Sequence, residues 1–163
     1  MADLKPFDGN EIKSLFERFA RRVFEAAYFV LQDRTMAEDV MQETFLTAMT
    51  KLRNPQDPLK IEAWLIRVAM NKARSELRKR KKKIPLLFPV VANLTEEGFI
   101  TKEEKKQVQV AVEALPAKYQ LVLYLMYHRN MTTKQIAQAL DLPEGTVKSR
   151  LRRAYKLMKP WLE

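Results

Sequence analysis

Lys148, Ser149, Arg152, Arg153 and Lys156 are the residues of this sequence best equipped to act on a polyanion. At about 100° per residue, Val147, Leu151, Ala154 and Met158 share one face of a helix. Ser149, Arg152 and Lys156 lie opposite that face, with Lys148 and Arg153 flanking them. Such a surface suits the major groove of a duplex: Arg and Lys donate to guanine O6 and N7, and a Ser hydroxyl donates or accepts. The remaining cations neutralise phosphates. A solvated basic helix face has the same composition. Duplex nucleic acid is favoured because a tight turn, an apolar face and a cationic face occur together. Arg150 sits beside the apolar face and reads as a structural or phosphate-contacting residue.

A second constellation lies upstream. Arg67, Asn71, Arg74 and Arg78 recur at steps of four, three and four residues, a straight stripe on one helix face. Three guanidinium groups and an amide suit a single-stranded backbone and an unstacked base; an exposed helix face is the alternative from spacing alone. The basic run from Arg78 to Lys83 continues the stripe and reads as phosphate neutralisation. Trp64, beside Leu65 and Val68, is expected to be partly buried rather than stacked on a base. Nothing predicts catalysis, a metal or a cofactor. The chain has no Cys, and its single His, His128, has no acidic constellation around it. Asp39 and Glu43 share a face without a third ligand, which argues against a small metal-dependent nuclease.

These residues need rigid elements to position them, and the composition points to an all-α protein. Hydrophobic residues make up 47%, with only 3 Gly and 8 Pro in 163 residues. Lys and Arg number 30 against 20 Asp and Glu, a net charge of +10 that favours nucleic acid or an anionic surface. The steps between Ile12, Leu15, Phe16, Phe19, Val23, Phe24, Ala27 and Val30 predict a helix from Glu11 to Leu31. Thr35 and Glu38 form a capping-box pattern before Val40, Met41, Phe45, Ala48, Met49 and Leu52, a helix expected to end near Asn54-Pro55. Pro55 and Pro58 then predict a polar loop from Arg53 to Lys60. A third helix, with Ile61, Leu65, Val68, Ala69 and Leu77 inward, carries the Arg67 stripe and stops before Pro85.

Pro85, Pro89, Asn93 and Gly98 interrupt the following segment, which predicts a linker over 85–101 between two small helical domains, 1–84 and 102–163. Leu86, Leu87, Phe88, Val90 and Val91 make that linker apolar enough to dock on some surface. The second domain is predicted to hold a helix from Lys102 to Leu115. The next restarts at Pro116 and runs to about His128, with Tyr119, Val122, Leu123 and Met126 inward. Thr132 and Gln135 cap a helix from Thr133 to Leu140. Asp141-Leu142 turns the chain into the last helix, from Pro143 to about Lys159, completing helix-turn-helix spacing around small Ala137. No apolar run reaches the roughly 20 residues needed to span a bilayer, and no signal core follows Met1. A cytoplasmic protein without membrane insertion is therefore expected.

The run Leu142-Pro-Glu-Gly-Thr-Val-Lys-Ser-Arg-Leu-Arg-Arg-Ala154 resembles region four of bacterial sigma factors of the sigma-70 family, extracytoplasmic-function group. Ala37-Glu-Asp-Val-Met-Gln-Glu-Thr-Phe45 resembles the polymerase-binding helix of region two. Ala63-Trp-Leu-Ile-Arg-Val-Ala-Met-Asn71 resembles its promoter-melting helix. The resemblance implies a non-catalytic subunit that binds core RNA polymerase, directs it to promoters and assists their melting. It implies a minus-thirty-five element read by Lys148, Ser149, Arg152 and Arg153, the residues that helical angle also selects, with Lys156 beside them. It implies that Asp39, Gln42 and Glu43 meet the β′ clamp helices; from spacing alone these three are a polar stripe. The β subunit and an anti-sigma factor are further implied partners. Asn71 and the loop from Arg53 to Lys60 become candidates for holding a flipped base of the minus-ten element, although two prolines distinguish this loop from the Ser- and Gly-containing loops often found there. A stand-alone helix-turn-helix regulator, binding duplex without polymerase, is the competing class.

Overall fold

In a computed structural model the chain divides into two compact units, Met1–Lys82 and Lys83–Glu163. The described residues are 8–53, 57–80 and 102–162. The expected linker, 85–101, lies outside them, as does the end of the basic run at Lys81 to Lys83. Every element among the described residues is an α-helix. None is long and apolar enough to cross a membrane.

The first unit holds α1 (Gly9–Leu31), α2 (Arg34–Lys51) and α3 (Pro58–Arg80), each packed on the other two. Helix α1 starts earlier than the apolar period alone predicts, because Asp8 and Glu11 form a reciprocal capping box. Each carboxylate accepts from the other residue's backbone N–H at 2.8 Å. The left-handed Gln32, at φ 51°, ends the helix and leads directly into Asp33. Asp33, rather than Thr35, caps α2: its Oδ1 accepts from the Met36 N–H at 2.9 Å. The expected Thr35–Glu38 box does not form, since Asp33 reaches the orphan donors of the first turn two residues sooner.

Another correction concerns the loop. Helix α2 stops at Lys51, before Asn54-Pro55, and α3 begins at Pro58. Asp57 accepts from the Leu59 N–H through its side chain at 2.9 Å and from the Ile61 N–H through its carbonyl at 3.1 Å. Pro58 therefore opens a helix instead of stiffening a loop, because at the first helical position its missing N–H is an orphan anyway. Phe19, Phe29, Leu31, Leu65 and Ile66 are fully buried between the three helices. Phe16 and Met49, which periodicity places in the core, are 40% and 42% exposed. Buried Glu62 accepts from Arg22 at 3.1 Å, tying α3 to α1, while the same guanidinium lies 5.8 Å from the Phe19 ring centroid.

The second unit holds α4 (Lys102–Glu113), α5 (Ala117–Tyr127), α6 (Thr133–Leu140) and α7 (Glu144–Leu162), with α4, α5 and α6 all packed on α7. Residues 120–125 of α5 are buried without interruption, so this helix is enclosed rather than one-sided. Tyr119 and Met126, expected inward, are only half-buried. Buried Gln120 donates through Nε2 to the Val112 carbonyl at 2.7 Å, which joins the end of α4 to α5 and satisfies the amide hydrogen bond.

Candidate nucleic-acid interface

The helix-turn-helix is built by local chemistry at each end. Thr132 Oγ1 accepts from the Gln135 N–H at 3.1 Å, and Gln135 Oε1 accepts from the Thr132 N–H at 2.9 Å, the expected capping box of α6. Asp141 adopts the left-handed conformation at φ 57°, which Asp tolerates better than most residues. The Leu142 N–H then donates back to the Ala137 carbonyl at 2.9 Å. Helix α7 starts at Glu144, one residue after the expected Pro143, whose carbonyl accepts from the Thr146 and Val147 N–H groups.

The faces of α7 separate as the spacing predicts. Val147, Leu151, Ala154 and Met158 are buried, whereas Lys148, Ser149, Arg152, Arg153 and Lys156 are all exposed; Arg150 is intermediate between them. The cationic face is thus backed by a packed one and remains exposed. Two contacts escape the sequence reading. The Thr133 hydroxyl donates to Glu144 Oε1 at 2.9 Å, and Lys148 Nζ lies 3.6 Å from the same oxygen. The Tyr127 and Tyr155 hydroxyls hydrogen-bond each other, joining α5 to α7. Burial, then that bond, pushes the Tyr155 hydroxyl well above its ordinary value, so it stays a neutral phenol at working pH. The Thr133–Glu144 and Tyr127–Tyr155 bonds have no local period, because each joins residues on different helices, whereas Glu144 and Lys148 are an i,i+4 pair within α7.

On α3, Arg67, Asn71 and Arg78 are exposed and Arg74 is half-buried. Burial pulls the Arg74 guanidinium below its usual range, and the positive Arg78 four residues on adds to the shift. Two neighbouring cations, one partly desolvated, gain from an anion placed across both, which is what a nucleic-acid backbone offers. Trp64 is half-buried, as expected. The loop candidate divides: Arg53 is exposed, Asn54 to Gln56 lie outside the described residues, and Pro58 to Lys60 belong to α3.

Asp39, Gln42 and Glu43 are exposed together on α2. Beside them an open groove of about 310 Å³ runs between α1 and α2, lined by Phe16, Ala20, Phe24, Glu38, Met41 and Gln42. Sequence reading missed this groove because it assigned Phe16 and Phe24 to the core. Among the described residues no group of three or more His, Cys, Asp or Glu is placed to hold a metal ion. His128 caps α5 and stacks on Tyr124, with ring centroids 4.6 Å apart.

Two family profiles match the chain, one per unit: Sigma-70 region 2 over residues 15–83 and Sigma-70 region 4 over residues 105–158. The chain belongs to the sigma-70 family. It is 25% identical to the ECF RNA polymerase sigma factor SigW of Bacillus subtilis over 98% of this chain and 92% of that protein. It is 29% identical to the ECF RNA polymerase sigma factor SigL of Mycobacterium tuberculosis over 93% of this chain and 89% of that protein. Two solved structures share the fold. One is the sigma factor RpoE of Bartonella quintana, in complex with the anti-sigma factor NepR (TM-score 0.57, 20% identity, covering 94% of this chain and 97% of that one). The other is CnrH in complex with the cytosolic domain of CnrY (TM-score 0.58, 24% identity, covering 95% and 89%). With two sigma regions in one chain, the protein is a sigma factor of the ECF type rather than a stand-alone helix-turn-helix regulator.

Proposed function

We propose that this sigma factor binds core RNA polymerase through Asp39, Gln42 and Glu43 of α2, which would meet the β′ clamp helices. Domain 1–84 melts the minus-ten element and domain 102–163 reads the minus-thirty-five element, with 85–101 as the linker between them. Lys148, Ser149, Arg152, Arg153 and Lys156 contact the upstream duplex. Arg67, Asn71, Arg74 and Arg78 contact the single strand. The observation that carries this reading is the match of both sigma regions in a chain whose assigned contact residues are exposed, apart from half-buried Arg74. Phosphodiester chemistry belongs to the polymerase, so no residue here is assigned a catalytic step and no cofactor is required. The site of action is the cytoplasm, where polymerase and promoter are.

The β subunit is a further polymerase contact. An anti-sigma protein is the second class of partner, a reading supported by the structure of RpoE, which shares this fold and is in complex with the anti-sigma factor NepR. Replacing Asp39, Gln42 and Glu43 together by Ala is expected to weaken retention on immobilised core polymerase several-fold. All three are exposed, so the helical circular-dichroism signal should be unchanged. Full retention of the triple variant would reduce this face to solvated surface and move the polymerase contact elsewhere.

A further inference from the structure

Glu144 is the only acidic residue of α7, a helix that otherwise presents Lys148, Arg150, Arg152, Arg153, Lys156 and Lys159. It occupies the first helical position, the end of a recognition helix that meets base edges. On the wheel it lies about 40° from Lys148 and about 20° from buried Leu151, so it borders the packed face, and only its place at the helix tip brings it toward the duplex. A carboxylate there is favoured by the helix dipole but disfavoured by approaching phosphates, so an untethered Glu would swing outward. This one is tethered. Thr133 of α6 donates to Oε1 at 2.9 Å, and Lys148 lies 3.6 Å from the same atom. Oε2 takes no partner among the described residues, and the side chain is 42% exposed. A carboxylate held at the helix tip by one hydrogen bond from Thr133, with the Lys148 ammonium close by, is an oriented acceptor.

We propose that Glu144 is a specificity-determining residue that accepts a hydrogen bond from the exocyclic amine of a cytosine in the upstream duplex element. The inference rests on the assignment of α7 as the reader of that element. Two bases present a donor amine in the major groove, and a carboxylate distinguishes them. Cytosine shows the amine alone, whereas adenine adds the N7 acceptor, which repels a group that only accepts. Guanine and thymine present acceptors toward the groove and are rejected for the same reason. Lys148, held beside Glu144, is placed to donate to the guanine paired with that cytosine or to an adjacent one.

The test is promoter selection from a randomised upstream element, using the full chain with core polymerase, for wild type, Glu144→Gln and Thr133→Val. Wild type should prefer cytosine by roughly tenfold at one position. Glu144→Gln keeps an acceptor for Thr133 and adds a donor for adenine N7. It should move the preference to adenine at that position and at no other. Thr133→Val frees the carboxylate and should flatten the cytosine preference without creating one for adenine. The inference is overturned if Glu144→Gln changes affinity equally for all sequences or leaves the selected profile unchanged, since Glu144 would then act only through charge or helix capping. A wild-type selection with no upstream preference would instead overturn the assignment of α7, and this inference with it.

Discussion

Replacing Arg152 and Arg153 together by Ala is expected to reduce use of promoters that depend on the upstream element by about a hundredfold, while retention on core polymerase stays at the wild-type level. Each bidentate contact to a base is worth about 1–3 kcal/mol, and 1.4 kcal/mol is tenfold, so two contacts reach that range. Both side chains are exposed on α7, opposite buried Val147, Leu151, Ala154 and Met158, so truncation leaves the packing of the helix intact. Single variants separate the two kinds of contact. A base-reading Arg loses preference at one position, whereas a phosphate-contacting Arg weakens all sequences alike and lowers the slope of affinity against salt by about one. Selection on randomised upstream elements at two salt concentrations resolves them. Unchanged affinity and preference in the double variant would remove α7 from the promoter interface.

Asn71→Ala is expected to separate docking from melting. An amide can bond a base edge only after that base has left the stack, whereas the contacts proposed for α7 require intact duplex. Polymerase carrying the variant should therefore assemble on the closed promoter normally and open it roughly tenfold more slowly, the loss of about 1–3 kcal/mol of contact to one unstacked base. Asn71 is exposed, between half-buried Arg74 and exposed Arg67 on the stripe of α3, and its truncation removes no core contact. A template with a pre-melted bubble should restore most of the rate. Permanganate reactivity of unpaired thymines on duplex and bubble templates reads both quantities. Opening of the duplex at the wild-type rate would place Asn71 in the structural background.

The elements that the sequence made legible are those whose stabilisation is local. The Thr132–Gln135 capping box, the Asp141 turn and the Val147, Leu151, Ala154, Met158 face depend on spacings of three, four and seven residues, and all are present. Where two local solutions compete, spacing alone misleads. Asp33 displaces Thr35 as the cap because the preceding left-handed Gln32 delivers the chain to Asp33 first. Pro58 reads as a breaker until Asp57 is seen to cap the turn that it opens. Phe16 illustrates the other limit. Its period is that of the core residues, but it lies at the edge of α1 and packs edge-on against Phe45, with ring centroids 5.1 Å apart, leaving 40% of its surface exposed. The Thr133–Glu144 and Tyr127–Tyr155 bonds were invisible for a related reason, since each joins residues on different helices and neither carries a sequence period.

Promoter specificity conferred by this chain on a polymerase that lacks it is read by in vitro transcription with core RNA polymerase on a pool of randomised promoters. The chain added to core enzyme should yield transcripts from templates sharing two sequence elements, one near minus ten and one near minus thirty-five. Neither core enzyme alone nor the chain alone should select those templates. Selection of a duplex element by the chain in the absence of core polymerase, with no promoter-specific transcript in its presence, would mean that the chain does not direct the polymerase.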